Sequence, residues 1–106
     1  MVPATPLSGA HIDKILDLVL RYRLPAMFSL PNIARDRGLM ALGVDQADIY
    51  RRAAGYVDKV LKGADPGELP IELPAKFDFV INLRPAQALG LTIPQAVLLQ
   101  ATEVVQ

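Results

Sequence analysis

The sequence predicts an α/β fold built on a mostly parallel sheet. Helical and strand-like segments alternate along the chain, which is the order that crossover connections produce. The first helical segment carries an apolar stripe, Ile12, Ile15, Leu16, Val19 and Leu20, at i, i+3, i+4, i+7 and i+8. Between the helices lie short apolar runs of strand length, bounded by proline and glycine.

The elements follow in order. The first helix spans about Ser8 to Arg23, with Ser8 as its expected N-cap and Pro25 beyond its end. Ala26-Met27-Phe28 is short and apolar enough for a buried strand, and Pro31 to Arg37 reads as a short helix closed by Gly38. Leu39 to Gly43 is a second strand. Asp45 caps the longest helix, which ends near Lys62 with Gly63 as its stop. Pro66, Pro70 and Pro74 then recur at four-residue spacing and forbid both helix and central strand, so 64–76 is an extended surface connector. In 77–83, Phe77, Phe79, Ile81 and Leu83 alternate with Asp78, Val80 and Asn82, predicting a third strand with one buried face. Pro85 to Leu89 makes a short helix stopped by Gly90. Thr92 and Gln95 predict a capping box for a last helix reaching about Thr102. Only about three strands are visible, below the usual four to six of a sheet, so the remainder belongs to further sequence or to a second chain.

Composition narrows the function. At 106 residues, 52% hydrophobic and 21% charged, the chain is globular, with room for one compact domain or part of a larger one. Eleven basic side chains balance eleven acidic ones, which excludes nucleic acid or an anionic membrane as the main partner. Cysteine is absent, so disulfides and thiolate metal sites are ruled out, and no apolar run approaches the length of a bilayer span. Met-Val-Pro-Ala-Thr-Pro-Leu lacks the basic and apolar regions of a signal peptide, placing the chain in the cytoplasm as written.

Chemistry-bearing patterns are sparse. His11 is the only histidine and has no carboxylate at i+3 or i+4, so it reads as a surface residue and no metal site is expected. Ser8 and Ser29 are the only serines, and neither sits in a Gly-x-Ser-x-Gly elbow. Gly38 and Gly43 lack the Lys-Ser/Thr of a phosphate loop. Arg21-Tyr22-Arg23, Arg35-Asp36-Arg37 and Tyr50-Arg51-Arg52 read as solvated helix faces, and Asp48 with Arg52 as an i,i+4 ion pair. Ser29 and Gly43 have positional interest, because each ends a strand where open α/β sheets bind ligands. Gly43 allows close backbone approach to a ligand and equally serves a turn. No enzyme activity and no cofactor are expected.

Three stretches resemble the C-terminal third of the ABC transporter substrate-binding protein family, of tryptophan and tyrosine type. The first is Arg23 to Phe28 with Gly38-Leu39-Met40; the second is Tyr50 to Ala54, Tyr56 to Ala64, Pro66 and Leu69-Pro70. The third is Asn82-Leu83, Ala86 and Ala88 to Pro94. That family is similar to the type I periplasmic binding proteins, with two Rossmann-like three-layer lobes that close over a solute. The resemblance implies that 1–30 supply the helix and strand of the C-terminal lobe, and 38–63 a strand and helix of the N-terminal lobe. It makes 64–76 a hinge connector and 77–106 the final strand and short helices. It implies a small, amino-acid-like solute, an ABC permease as partner of the full-length protein, and a periplasmic location. Cleft-facing positions would be Thr5, Ser29, Leu42 and Gly43. Thr5 stands where the family often has aspartate, and Ala41-Leu42 where it often has Ser-Tyr. Three readings stay open: a solute-binding module or fragment, a truncated remnant forming a strand-exchanged homodimer through open sheet edges, and a small enzyme or α/β regulatory domain whose resemblance is incidental.

Overall fold

The computed structural model describes all residues, 1–106. Six helices and four strands occur: α1 (Pro6–Ala10), α2 (Ile12–Arg21), β1 (Met27–Phe28), α3 (Pro31–Asp36), β2 (Met40–Val44), α4 (Gln46–Leu61), β3 (Phe77–Asn82), α5 (Leu83–Leu89), α6 (Gln95–Leu98) and β4 (Glu103–Val105). The sheet order is β1-β2-β3-β4. β1 pairs parallel to β2, with Met27 opposite Met40 and Phe28 opposite Ala41, and β3 pairs parallel to β4. β2 and β3 run antiparallel: the Asn82 amide donates to the Leu39 carbonyl at one end, and the Asp45 amide to the Lys76 carbonyl at the other. The sheet is therefore mixed but mostly parallel.

Two compact units emerge, 1–43 with 78–106, and 44–77. The first has a core. Leu16, Phe28, Ala34, Ala41 and Val80 are buried together, and Ile12, Ile15, Ile33 and Val105 pack against them. The helical stripe read from sequence thus delivers Leu16, Ile12 and Ile15 to the sheet. Burying such side chains contributes roughly 1.5–3 kcal/mol each. Val2 extends the sheet by a parallel bridge to Phe28. Asn82, fully buried, has every polar atom engaged: Nδ2 donates to the Ala34 carbonyl at 2.8 Å and Oδ1 accepts the Arg84 amide at 3.0 Å. One side chain therefore ties α3 to β3 and caps α5. Arg35 crosses from α3 to Asp78 and Glu103, whose hydrogen bonds raise the guanidinium pKa further above its ordinary value.

Several expectations change at element ends. The first helix is broken at His11, whose backbone leaves helical geometry (φ −116, ψ 20). Thr5, not Ser8, is the N-cap; Ser8 is the reciprocal member of the capping box, so its hydroxyl accepts the Thr5 amide at 2.9 Å. Thr92 caps nothing: α6 begins after Pro94 with no side-chain cap and ends at Leu98. Thr102 instead opens β4, its amide and hydroxyl donating to the Phe79 carbonyl and its oxygen accepting the Phe79 amide. β3 is not buried on one face alone. Val80, Ile81 and Asn82 are all buried while Phe77 is exposed, because the strand gains cover on both faces only along its C-terminal half.

The second unit holds α4, a 3-10 turn at Pro66–Glu68 and an extended run to Phe77. Asp45 accepts the Asp48 amide at 3.1 Å and Gly63 takes the left-handed conformation (φ 103) that ends α4, both as the sequence implies. Its only buried residue is Asp48, held by Arg52 at 3.0 Å, Arg51 at 3.4 Å and Lys76 at 3.8 Å. No apolar side chain of this unit is buried.

Candidate functional site

The parallel part of the sheet ends in a common edge. The β1–β2 register places Ser29 level with Leu42, and the Val2–Phe28 bridge brings the segment leading to Thr5 beside them. Thr5, Ser29, Leu42 and Gly43 therefore come from three neighbouring segments of the first unit that converge at strand C-termini, the usual ligand edge of an open α/β sheet.

Their polar groups are largely engaged within the chain. The Thr5 hydroxyl accepts the Ser8 amide at 3.1 Å and donates to the Ser8 hydroxyl at 3.0 Å. Ser29 donates its hydroxyl and its amide to the Val2 carbonyl, both at 3.2 Å. Gly43 has a packing reason for lacking a side chain: a Cβ there would overlap the Ser29 carbonyl oxygen and approach Pro31 Cδ to 2.9 Å. Leu42 is different. Its neighbour Ala41 is buried, so strand alternation turns Leu42 outward, and it is 43% exposed. The edge thus offers an apolar contact at Leu42, with no charged group at the four positions.

Enclosure at this edge is slight. The cavity beneath it, lined by Pro3, Ser8, Ile12, Ser29 and Ile33 among others, is about 10 Å3 and holds at most one water. A larger hollow of about 290 Å3 lies by the C-terminal end of β3, between Leu20, Arg37, Asn82, Arg84 and Pro85. No group of three or more His, Cys, Asp or Glu side chains is arranged to hold a metal ion, and no helix is long and apolar enough to cross a membrane.

The second unit contains a groove of about 300 Å3 that sequence reasoning did not anticipate. One wall is α4, through Ile49, Ala53 and Tyr56; the other is the connector from Pro70 to Pro74. The Tyr56 hydroxyl donates to the Pro70 carbonyl at 2.5 Å and Arg52 reaches Glu72 at 3.4 Å. Ile49 and Ala53, spaced i,i+4 in α4, are the local part of it; the partner wall is about twenty residues away in sequence. Desolvation, helped by Glu72, raises the Tyr56 phenol above its ordinary pKa of 10.0. The neutral, donating form is favoured by folding, so the contact is intact below pH 10 and lost as pH rises through the elevated value. A spectrophotometric difference titration between the wild-type chain and Tyr56→Phe isolates the phenol of Tyr56, which should ionise later than a free phenol. A difference curve that matches a free phenol would show that the contact does not form.

Comparison with known proteins gives a consistent picture. A family model described as ABC transporter substrate binding protein matches residues 1–105. No curated protein matches the chain. Among solved structures, a conserved domain protein from Vibrio cholerae is similar with a TM-score of 0.90 and 28% identity, over 97% of this chain and 35% of its own. An ABC domain from Streptococcus pneumoniae, solved in complex with L-Trp, is similar with a TM-score of 0.83 and 28% identity, over 92% of this chain and 34% of its own. A ligand-free, open substrate-binding protein with adhesive properties from Clostridium difficile shares the fold at a TM-score of 0.66 and 16% identity, over 99% of this chain and 35% of its own. The chain spans about a third of the length of each.

Proposed function

The chain belongs to the ABC transporter substrate-binding protein family, and from that premise we propose that it serves as one part of a solute-binding component of an ABC import system. The observation that carries the reading is the family match over 1–105. The solute is a small, amino-acid-like molecule with an apolar side chain, met in part by Leu42. Two facts support this class: the Streptococcus pneumoniae relative was solved with L-Trp, and Leu42 is the exposed apolar side chain among the four edge positions. Thr5, Ser29 and Gly43 shape the edge, with Ser29 presenting its carbonyl and Gly43 keeping β2 close to it. Chemistry is not required of such a protein; it needs a pre-organised cleft. An ABC permease is the proposed macromolecular partner, and an extracytoplasmic compartment the proposed place of action.

A cavity of about 10 Å3 at the edge is far below the several hundred Å3 of a small-molecule site. Binding therefore draws on walls beyond these 106 residues. The test is a chimera in which residues 1–106 replace the matched third of the Vibrio cholerae protein. Amino-acid binding is expected there, with preference for apolar side chains. Leu42→Asp should weaken it by about tenfold or more, since a carboxylate replaces an apolar contact worth at least ~1.4 kcal/mol. Equal affinity in the Leu42→Asp chimera would remove Leu42 from the site.

A further inference from the structure

We infer that the end of α2 and the start of α5 form a docking surface for a partner protein, which meets it with an acidic segment carrying an apolar side chain. The inference goes beyond solute binding and does not depend on it. Charge pairing, backbone conformation and surface composition lead to it.

Arg35, Arg37, Arg51 and Arg52 are each paired with carboxylates. The remaining arginines, Arg21, Arg23 and Arg84, are paired with none, and they gather in one place. Arg21 closes α2 and Arg23 follows it; Arg84 lies in the first turn of α5. Arg23 reaches across to the Ala88 carbonyl at 3.5 Å, so the two helices meet here. Between them is the hollow of about 290 Å3, where Leu20, Pro85 and Ala88 supply apolar walls beside Arg84. Asp36 is the one carboxylate in its lining, and Arg37 holds it at 3.3 Å along with Asp13 and Asp17. Arg84 engages only its Nε, at 3.1 Å from the Gln106 carbonyl, and its terminal nitrogens stay free.

The backbone singles out Arg23. Helices α4 and α5 end on glycines in the left-handed conformation, Gly63 (φ 103) and Gly90 (φ 70). The end of α2 turns the same way, but on Arg23 (φ 54), the only non-glycine residue of the chain with positive φ. A side chain strains the backbone there, and glycine would remove the strain. Strain kept where glycine would serve points to a side chain with a task of its own.

Composition identifies the occupant. Leu20, Tyr22 and Leu24 are exposed beside these arginines, Tyr22 by 64%, and the Arg21 guanidinium lies over the Tyr22 ring at 5.8 Å. Arginine and tyrosine with apolar neighbours are what protein interfaces favour, whereas a merely solvated face favours lysine and glutamate. Guanidinium groups without carboxylates of their own recognise carboxylates through paired hydrogen bonds. The hollow between them takes the apolar side chain.

The test is fluorescence anisotropy of the chain with a labelled peptide of glutamates interrupted by single leucines, at low salt. Saturable binding is expected, and the matching glutamine peptide should bind about tenfold or more weakly. Arg23→Gly combined with Arg84→Ala should weaken binding of the glutamate peptide by about tenfold or more. Arg23→Gly alone should raise the melting temperature by a few degrees, which separates a lost contact from a lost fold. Arg51→Ala, at an exposed position of α4, should leave binding unchanged. Absence of binding, equal binding of the two peptides, or equal binding by the double variant would overturn the inference. A loss in Arg51→Ala as large as in the double variant would reduce the effect to bulk charge and overturn it too. Binding of phosphatidylglycerol vesicles in place of the peptide would overturn it by assigning the face to a membrane. A dimer in sedimentation that the double variant abolishes would overturn it by assigning the face to a second copy. A chimera that binds no solute leaves this surface standing, and a chain that binds no peptide leaves the solute reading standing.

Discussion

Replacing Phe28 with alanine is expected to lower the stability of the first unit by about 3–5 kcal/mol, the range for truncating a fully buried aromatic. Phe28 is completely buried and touches the core from the centre of its parallel strands: Ala41 lies opposite it in β2, and Val2 bridges it from the other side. Its ring also lies against Gly38, where even a Cβ would come within 3.0 Å. With Ala34 and Ala41 as small neighbours, the core has little bulk that could relax into the space. Native domains hold roughly 5–15 kcal/mol in all, so the loss is a large fraction of the total. Urea titration read by circular dichroism should show the transition moved by about 1 M or more. A loss below about 1 kcal/mol would mean that Phe28 is not the centre of the core.

Gly43→Ala should be nearly as damaging as Gly43→Val. The obstruction lies at the Cβ itself, which would overlap the Ser29 carbonyl oxygen and crowd the Pro31 ring. Neither obstacle is the end of a flexible side chain, so β2 must draw away from the β1–α3 turn. Overpacking of this kind costs about 1–3 kcal/mol and more where backbone must move. Gly55 supplies the contrast: it lies in α4 with nothing within 4 Å of a Cβ, so Gly55→Ala should be neutral or stabilising by up to about 1 kcal/mol. Thermal melts of the three variants check both statements. Destabilisation by Gly43→Ala no larger than that of Gly55→Ala would contradict the close approach at Ser29.

The parts of this structure legible in sequence are those set by local rules. Asp45 and Gly63 delimit α4 because a side-chain acceptor and a left-handed residue act within one helical turn. Ser29 and Gly43 stood out because strand C-termini can be located from short apolar runs, and the structure does bring them into contact. Gly43 has a packing role that its strand-end position alone did not reveal, since Ser29 and Pro31 occupy the space where a Cβ would go. What was hidden depends on distant partners. β4 is three residues long, too short for any periodicity, and exists because β3 accepts it in register from Val80 to Asn82. The Asp48–Arg52 ion pair read from spacing does form, but the burial of Asp48, with Lys76 from the far end of the connector joining Arg51 and Arg52 around it, was not readable.

The four edge residues illustrate the same division for function. Their places at the ends of elements were readable from the order of elements, but the engagement of Thr5 and Ser29 with Ser8 and Val2 was not. That engagement leaves Leu42 as the outward apolar side chain among the four.

The most direct measurement is calorimetric titration of L-tryptophan and a panel of other amino acids into the chain of residues 1–106 and into its family-length chimera. The account predicts no saturable heat with the chain alone, because its edge cavity holds no more than a water, and saturable binding of an apolar amino acid by the chimera. Equal binding by the chain alone, or a folded chimera that binds none of them, would contradict it.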